Sequence, residues 1–238
     1  MGKLIIIRHA QASFGKANYD QLSNLGREQA KVLGQYIAEC PLQLNKVYRG
    51  DLQRHQETEA IIKQASGGNW SVEILPELNE HQGPKVVGWV VDRVLQGEQA
   101  TELKGMQALL KPLAGQHPNQ QYLAAFEYGT LQWAKGTYNT TPIGTEDWQT
   151  FHQRVRNAYA HILAASQTDE TIGIVTSCGP IGVAVGEALK LNVAQIMQLT
   201  WVLQNTAISE FSFSEHTLTL HSFNSVAHLK EDRLITLV

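Results

Sequence analysis

The sequence predicts an α/β fold: a three-layer sandwich whose mixed, mostly parallel sheet carries helices on both faces, with an inserted helical lid. Three observations predict it. Short apolar runs alternate with amphipathic stretches over residues 3–75 and again over 145–190. Residues from about 81 to 145 lack strand-like alternation and read as helices separated by Gly and Pro. Two segments near the C-terminus alternate with period two, as paired antiparallel strands do. The order βαβαβ, helices, αβαββ fits one domain over 1–238 with a helical insertion at about 81–145.

Each element has its own reason. Leu4 to Ile7 is a continuous apolar run, expected as a short strand buried on both faces, and it stops at Arg8 and His9. In open α/β sheets, ligands sit beyond the carboxyl ends of the strands, so these two side chains are delivered to a candidate site. Ser23 is placed to cap a helix in which Ala30, Leu33 and Ile37 recur at helical spacing. "NKVYRG" (45–50) reads as the second strand, followed by a helix capped by Asp51 with Arg54 in its first turn. "SVEIL" (71–75) is the third strand, stopped by Pro76.

"PKVVGWVVDRVLQG", "TELKGMQALLKPLAG" and "NQQYLAAFEYGTLQWAKG" supply two or three helices of the insertion. A helix capped by Thr145 then runs with an apolar stripe through Trp148, Phe151, Val155, Tyr159 and Ile162. "ETIGIVTSCGPIGVAVGEALKL" is a strand, a turn and a helix with Pro180 in its first turn, where no N–H is needed. "NTAISEFSFS" and "HTLTLHSFN" are the antiparallel pair. They could pair across a dimer or form a sheet edge, so the oligomeric state stays open.

The chain of 238 residues is long enough for one sizeable core, and 43% hydrophobic against 17% charged residues argues against disorder. A net charge of −3 gives no general affinity for nucleic acid or an acidic membrane surface, so an anion site must be a local cluster. Two cysteines, Cys40 and Cys178, suggest no disulfide framework and point to a reducing, cytoplasmic setting. The apolar run after Lys3 is too short for a secretory signal or a membrane span.

Three strand ends converge on one kind of ligand. Arg8 and His9 follow the first strand, Arg54 lies near a helix N-terminus after the second, and "TSCGPI" sets Cys178 and Gly179 at the start of a late helix. Two guanidiniums, an imidazole and helix N-termini suit a phosphoryl group, because arginine forks match its oxygens two at a time. Cationic side chains of this kind do the work of a metal ion, and no His/Asp cluster has metal-ligand spacing, so neither metal nor other cofactor is expected.

In these residues the chain resembles the histidine phosphatase superfamily, also called phosphoglycerate-mutase-like. The family's Arg-His-Gly is matched by Arg8, His9 and Ala10, and its Leu-Ser/Thr-x-x-Gly-x-x-Gln-Ala by Leu22, Ser23, Gly26, Gln29 and Ala30. Its Ser-Asp-Leu-x-Arg-x-x-x-Thr-Ala helix corresponds to "GDLQRHQETEA", which places Arg54 and Thr58, and its Leu-x-Glu segment to "LNE", which places Glu80. The resemblance implies that neutral His9 attacks phosphorus to form a phosphohistidine while Arg8 and Arg54 hold the non-bridging oxygens. It implies that Glu80 protonates the leaving oxygen and then helps deprotonate water. Cys178 and Gly179 would border the phosphate. The implied partner is a small phosphorylated substrate or a phosphoprotein.

The chain departs from the family's pattern at Ala10, at Gly15, where mutase-type members carry Asn, and at Cys178, where members carry a second pocket histidine. His55, His81 and the hydroxyls of Thr176 and Ser177 are the groups near enough in sequence pattern to stand in. A tyrosine-phosphatase role for Cys178 fails because the position six residues on is Ala184 rather than Arg. Its bland reading is a small buried hydrophobe. Two functions therefore stay open: a metal-independent phosphatase working through a phosphohistidine at His9, or a phosphate-ligand-binding or scaffold protein whose turnover is weakened at position 178. A mutase fits less well. His55 and His81 are expected as bystanders or rim contacts, and His152, His161, His216 and His221 as surface or half-buried residues.

Overall fold

The computed structural model describes residues 1–13, 15–16, 18–40, 42–111, 118–167, 169–214 and 217–237; His216 lies outside them. Strands β1 (Gly2–Arg8), β2 (Lys46–Arg49), β3 (Ser71–Ile74) and β4 (Thr171–Thr176) are parallel. Strands β5 (Ile208–Ser214) and β6 (Thr217–Ser225) extend the sheet antiparallel beside β1. The order across the sheet is β3-β2-β4-β1-β5-β6. Helices α1 (Asn24–Glu39) and α2 (Gln53–Ser66) lie on one face. The other face carries α3 (Gly83–Leu95), α4 (Lys104–Leu109), α5 (Pro118–Ala134), α6 (Trp148–Ala164), α7 (Cys178–Leu189) and α8 (Val193–Val202).

The first strand explains the layering. Leu4 and Ile6 pack in the core beneath α3 to α8, whereas Ile5 and Ile7 pack beneath α1 and α2. A strand covered on both sides has no polar face, which is why it reads as an unbroken apolar run. Ala30, Leu33 and Ile37 of α1 join Ile62 of α2 over that second face. The expected insertion contains α3, α4 and α5, and its Val86, Met106 and Trp133 belong to the same cluster as Leu4.

Helix starts agree with the sequence at α1, where Ser23 Oγ accepts the Gly26 N–H at 2.9 Å. They differ elsewhere. Asp51 does not cap α2: its carboxylate takes the Asn79 side-chain N–H, and the Gln53 N–H donates to Asp20 Oδ2 at 2.8 Å. Thr145 does not cap α6: Asp147 does, accepting the Thr150 N–H at 2.8 Å. Helix α8, unassigned in the sequence reading, opens on an Asn192–Gln195 capping box. Among the described residues no helix is long and apolar enough to cross a membrane.

Because β2, β4 and β1 are neighbours and parallel, the chain leaving each of them emerges at one edge of the sheet. That edge receives Arg54, residues 177–179 and the Arg8–His9 pair.

Candidate active site

His9 sits just past β1. Its N–H donates to Thr176 O at 2.8 Å and its carbonyl accepts Asn205 Nδ2–H at 3.2 Å, so the backbone is gripped from both sides. Nδ1 lies 2.8 Å from the Ala10 carbonyl. A carbonyl can only accept, so Nδ1 carries the ring proton and Nε2 keeps its lone pair. Burial above all, then the charges of Arg54 and Arg8 and the nearby His55, hold the pKa of His9 well below 6.5. The ring is a neutral imidazole at neutral pH.

Arg8, His9 and Arg54 are 7%, 5% and 8% exposed. Arg8 Nη1 donates to the Leu203 carbonyl. Arg54 Nη1 donates to Asp20 Oδ1 at 2.6 Å, and the other oxygen of that carboxylate takes the Gln53 N–H. Thr58 ties the two loops, accepting the Ala10 N–H at 3.0 Å and donating to the Arg54 carbonyl at 2.7 Å. One corner of each guanidinium is thus anchored to protein. The Nε–H of each is buried with no partner, as is that of Arg49, an unusual condition for a charged donor.

Glu80 arrives from the loop after β3. Thr176 O–H holds the Leu78 carbonyl, and Arg154 Nη1 holds those of Glu77 and Asn79 at 2.6 and 2.9 Å. Glu80 Oε2 accepts the Gly179 N–H at 3.0 Å and Oε1 accepts the His81 N–H at 3.0 Å. A Cβ at position 179 would stand 2.2 Å from Oε1, so glycine alone admits the carboxylate here. His81 backs it, with Nε2 3.5 Å from Oε1 and its ring against Trp133 and Phe151.

Burial first, with Glu80 adding to it against the opposing pull of Arg8 and Arg54, pushes the Cys178 thiol up to about 11. Cys178 is therefore an uncharged thiol at neutral pH and does not repel an anion as a thiolate would. Tyr19 lies at the same place. Burial raises its pKa, Arg54 and Arg8 lower it, Glu80 and Cys178 raise it, and the Arg54 guanidinium carbon is 5.8 Å from its ring centre.

The structure thus brings Arg8, His9, Arg54, Glu80, Cys178 and Gly179 to one edge of the sheet, and adds residues the sequence did not single out. Asp20 anchors Arg54, and Tyr19 sets its ring near the Arg54 guanidinium. His55, named from the sequence both as a bystander and as a group that could stand in for the missing histidine, is fully buried with its ring 5.7 Å from that of His9 and its Nε2 2.7 Å from Ser177 Oγ. Its one sequence signal was its place beside Arg54 in the first turn of α2. His152, His161 and His221 instead meet Glu187, Glu73 and Ser212, away from this cluster.

Comparison with known proteins yields a match to the family described as the histidine phosphatase superfamily (branch 1), over residues 4–108 and 114–226. Among solved structures, the chain is similar to YhfR of Bacillus stearothermophilus (TM-score 0.66, 16% identity, 97% of this chain and 100% of that one). It is similar to a mycobacterial glucosyl-3-phosphoglycerate phosphatase (TM-score 0.61, 18% identity, 94% and 98%). A phosphoserine phosphatase of Entamoeba histolytica, solved with 3-phosphoglyceric acid, is also similar (TM-score 0.62, 18% identity, 96% and 100%). No curated protein matches the sequence. At these identities the structural likeness is one of fold.

Proposed function

Given that the chain belongs to the histidine phosphatase superfamily, branch 1, we propose that it is a phosphatase that hydrolyses a phosphomonoester or a phosphoprotein through a phosphohistidine at His9. The observation that carries this reading is the convergence of the Arg8 and Arg54 guanidiniums, each pinned by one Nη, on a neutral imidazole whose Nδ1 proton is held by the Ala10 carbonyl and whose Nε2 keeps its lone pair. Two solved structures of similar fold are of proteins named as phosphatases of small phosphorylated molecules, which favours a small substrate.

The steps follow from the residues. The Nε2 lone pair of His9 attacks phosphorus, the ester P–O bond breaks, and Glu80 gives its proton to the departing oxygen. The two guanidiniums, each fixed by its Nη1 bond before the substrate arrives, neutralise the non-bridging oxygens. Water then attacks phosphorus and yields a proton to Glu80, the P–N bond breaks, and inorganic phosphate leaves with His9 neutral again. The guanidiniums supply the positive charge this transfer requires, so no step is routed through a metal.

Hydrolysis of p-nitrophenyl phosphate by wild type and His9→Ala tests the proposal. Wild type should turn over and acquire an alkali-stable phosphoryl label on its histidine, and His9→Ala should do neither. Equal rates would remove the phosphatase reading. The uncharged thiol at Cys178 favours one alternative, a phosphate-binding protein with weakened turnover, because loss of one charged donor costs about 10² to 10³ in rate. Cys178→His separates the two: a large gain in rate marks a disabled site, and no gain marks a site in which another group already serves.

A further inference from the structure

Thr206 holds a backbone conformation that a β-branched residue rarely takes, with φ at 59°. Such strain persists only where the surroundings enforce it. Here the Thr206 hydroxyl donates to the Asn205 carbonyl at 2.7 Å and lies 3.0 Å from His228 Nε2. The turn so formed directs Asn205 Nδ2–H and the Thr206 N–H at one atom, the carbonyl oxygen of His9, at 3.2 and 3.4 Å. A strained turn aimed at the backbone of the candidate nucleophile calls for an explanation.

The two peptide groups that follow His9 offer one. The group joining His9 to Ala10 is held at both ends, its oxygen by Asn205 and Thr206 and its N–H by Thr58 Oγ1 at 3.0 Å. The group joining Ala10 to Gln11 is also held at both ends. Its oxygen lies 2.8 Å from His9 Nδ1, and its N–H donates to Gln29 Oε1 at 2.9 Å. Rotating this second group would carry its oxygen away from the ring and release the proton it keeps on Nδ1. Gln29, fully buried on α1, opposes that rotation.

The amides of Gln29 and Asn205 meet at a single hydroxyl. Backbone groups decide which way each amide faces. The Gln11 N–H can only donate, so Gln29 turns its oxygen there, and its nitrogen donates to the Leu234 carbonyl at 2.7 Å. The His9 carbonyl can only accept, so Asn205 turns its nitrogen there and its oxygen away. Between the Gln29 nitrogen and the Asn205 oxygen sits Thr236 Oγ1, 2.8 Å from each. A hydroxyl can accept from the one and donate to the other; a methyl group can do neither. The Thr236 carbonyl also takes the Asn205 N–H at 2.8 Å. Arg233 fastens the same segment to α1 through both oxygens of Glu28, at 2.8 and 2.6 Å.

We propose that Thr236 is a positioning residue for the phosphoryl transfer at His9. Its hydroxyl joins Gln29 and Asn205 into a clasp on the two peptide groups after His9, which keeps the ring proton on Nδ1 and the Nε2 lone pair directed at phosphorus. The proposal rests on the phosphatase reading above, and Thr236 acts on His9 only through the two amides.

The test compares wild type, Thr236→Val and Thr236→Ser well below the melting temperature. It reads kcat and KM for p-nitrophenyl phosphate, orthovanadate binding by thermal shift, and the ring-nitrogen NMR signals of His9. Thr236→Val keeps the side-chain shape and leaves a donor on buried Gln29 and an acceptor on buried Asn205 unpaired. It should lower kcat about tenfold with KM changed less than about twofold. Vanadate, which bonds to the ring in the geometry of the transition state, should weaken by about the same factor as kcat. The ring signals should move from the Nδ1–H form of wild type toward a mixture with the Nε2–H form. Thr236→Ser should restore each of these. A residue that only stabilised the fold would lower the melting temperature of Thr236→Val and leave kcat and the ring signals at their wild-type values, which overturns the proposal. A loss of kcat with unchanged ring signals, or one that Thr236→Ser fails to recover, overturns it too. Should Thr236→Val not fold, Thr236→Cys takes its place with the same expectation, since a thiol is a feeble partner for either amide. A wild type with neither turnover nor vanadate binding sinks the phosphatase reading alone. The ring signals of Thr236→Val then judge the clasp, which falls if they match those of wild type.

Discussion

Replacing Gly179 with alanine asks whether Glu80 performs chemistry from where it is held. A methyl group at 179 would lie 2.2 Å from Glu80 Oε1, 2.8 Å from Phe151 Cζ and 3.1 Å from His81 Cδ2. Phe151 is fully buried and the His81 ring is packed against it, whereas the Glu80 side chain retains 20% exposure, so the carboxylate is the group with most room to move, and the 2.8 Å approach to Phe151 Cζ adds a cost in stability. Ordinary van der Waals contact at about 3.5 Å requires a retreat of roughly 1.3 Å. That breaks the bond to the Gly179 N–H, worth about 1 kcal/mol. A displacement of about 1 Å in a reacting group costs about 10²-fold in rate. The assay compares two esters. p-Nitrophenolate leaves as a stabilised anion and needs little protonation, whereas an alkoxide needs a proton in the transition state. Gly179→Ala should lower kcat/KM about 10²-fold for an alkyl phosphate and far less for the nitrophenyl ester, and Glu80→Gln should reproduce that ordering. Equal losses on both esters, or none on either, would refute the idea that Gly179 holds Glu80 as the general acid.

Asp20→Ala releases Arg54 Nη1 and removes the acceptor of the Gln53 N–H; KM should rise about tenfold, and urea denaturation should show about 1 kcal/mol lost with the helix cap. Arg8→Met removes a buried charge together with its bond to the Leu203 carbonyl, two effects of opposite sign; it should abolish the thermal shift given by vanadate while moving the melting temperature of the ligand-free protein by only a few degrees, and a large drop in that temperature would mark Arg8 as structural. Burial depresses His9 and His55, with neighbouring cations adding to it, and holds His228 down at about 4. The unfolded chain therefore binds protons that the folded one refuses as pH falls below about 6.5, and stability falls with it. His228 alone accounts for up to about 3 kcal/mol by pH 4; melting curves at neutral and acid pH should show the loss, and His228→Gln should reduce it.

The sheet was legible because its signals are local. A strand covered on both faces must be apolar throughout, as Leu4 to Ile7 are, and half-covered β5 must alternate, as it does from Glu210 to Ser214. Arg8, His9 and Arg54 could be read because each falls at a strand end or in the first turn that follows one. What escaped depends on partners far along the chain. Asp51 looked like the cap of α2 because it directly precedes the helix, but Asp20, reaching across from the loop after β1, binds the Gln53 N–H instead. Nothing near residue 55 shows that His55 meets Ser177, which lies in another strand–helix unit. The need for glycine at 179 is equally invisible in its own neighbourhood, since the obstructing atom belongs to Glu80. The capping box of α8 was local and readable; the apolar run behind it obscured the signal.

A carboxylate from elsewhere in the fold already serves each helix N-terminus bordering the site, Asp20 on α2 and Glu80 on α7. The sequence alone suggested that these N-termini would cradle the phosphate. With one N–H of each helix engaged in this way, the proposed function leaves more of the recognition to the guanidiniums, and the carboxylates take other tasks. Asp20 fixes one corner of Arg54 as the Leu203 carbonyl fixes one corner of Arg8. Each arginine has therefore surrendered its rotamer freedom during folding, a term of about 2 kcal/mol per side chain that substrate binding no longer opposes. The protein bears the corresponding penalty without ligand, in buried Nε–H groups that lack acceptors and histidines kept neutral. On the proposed function, stability is lowered at the place where a tetrahedral anion would restore it, which is how such a site would recognise a phosphoryl group by charge and shape with little of its surface open to solvent.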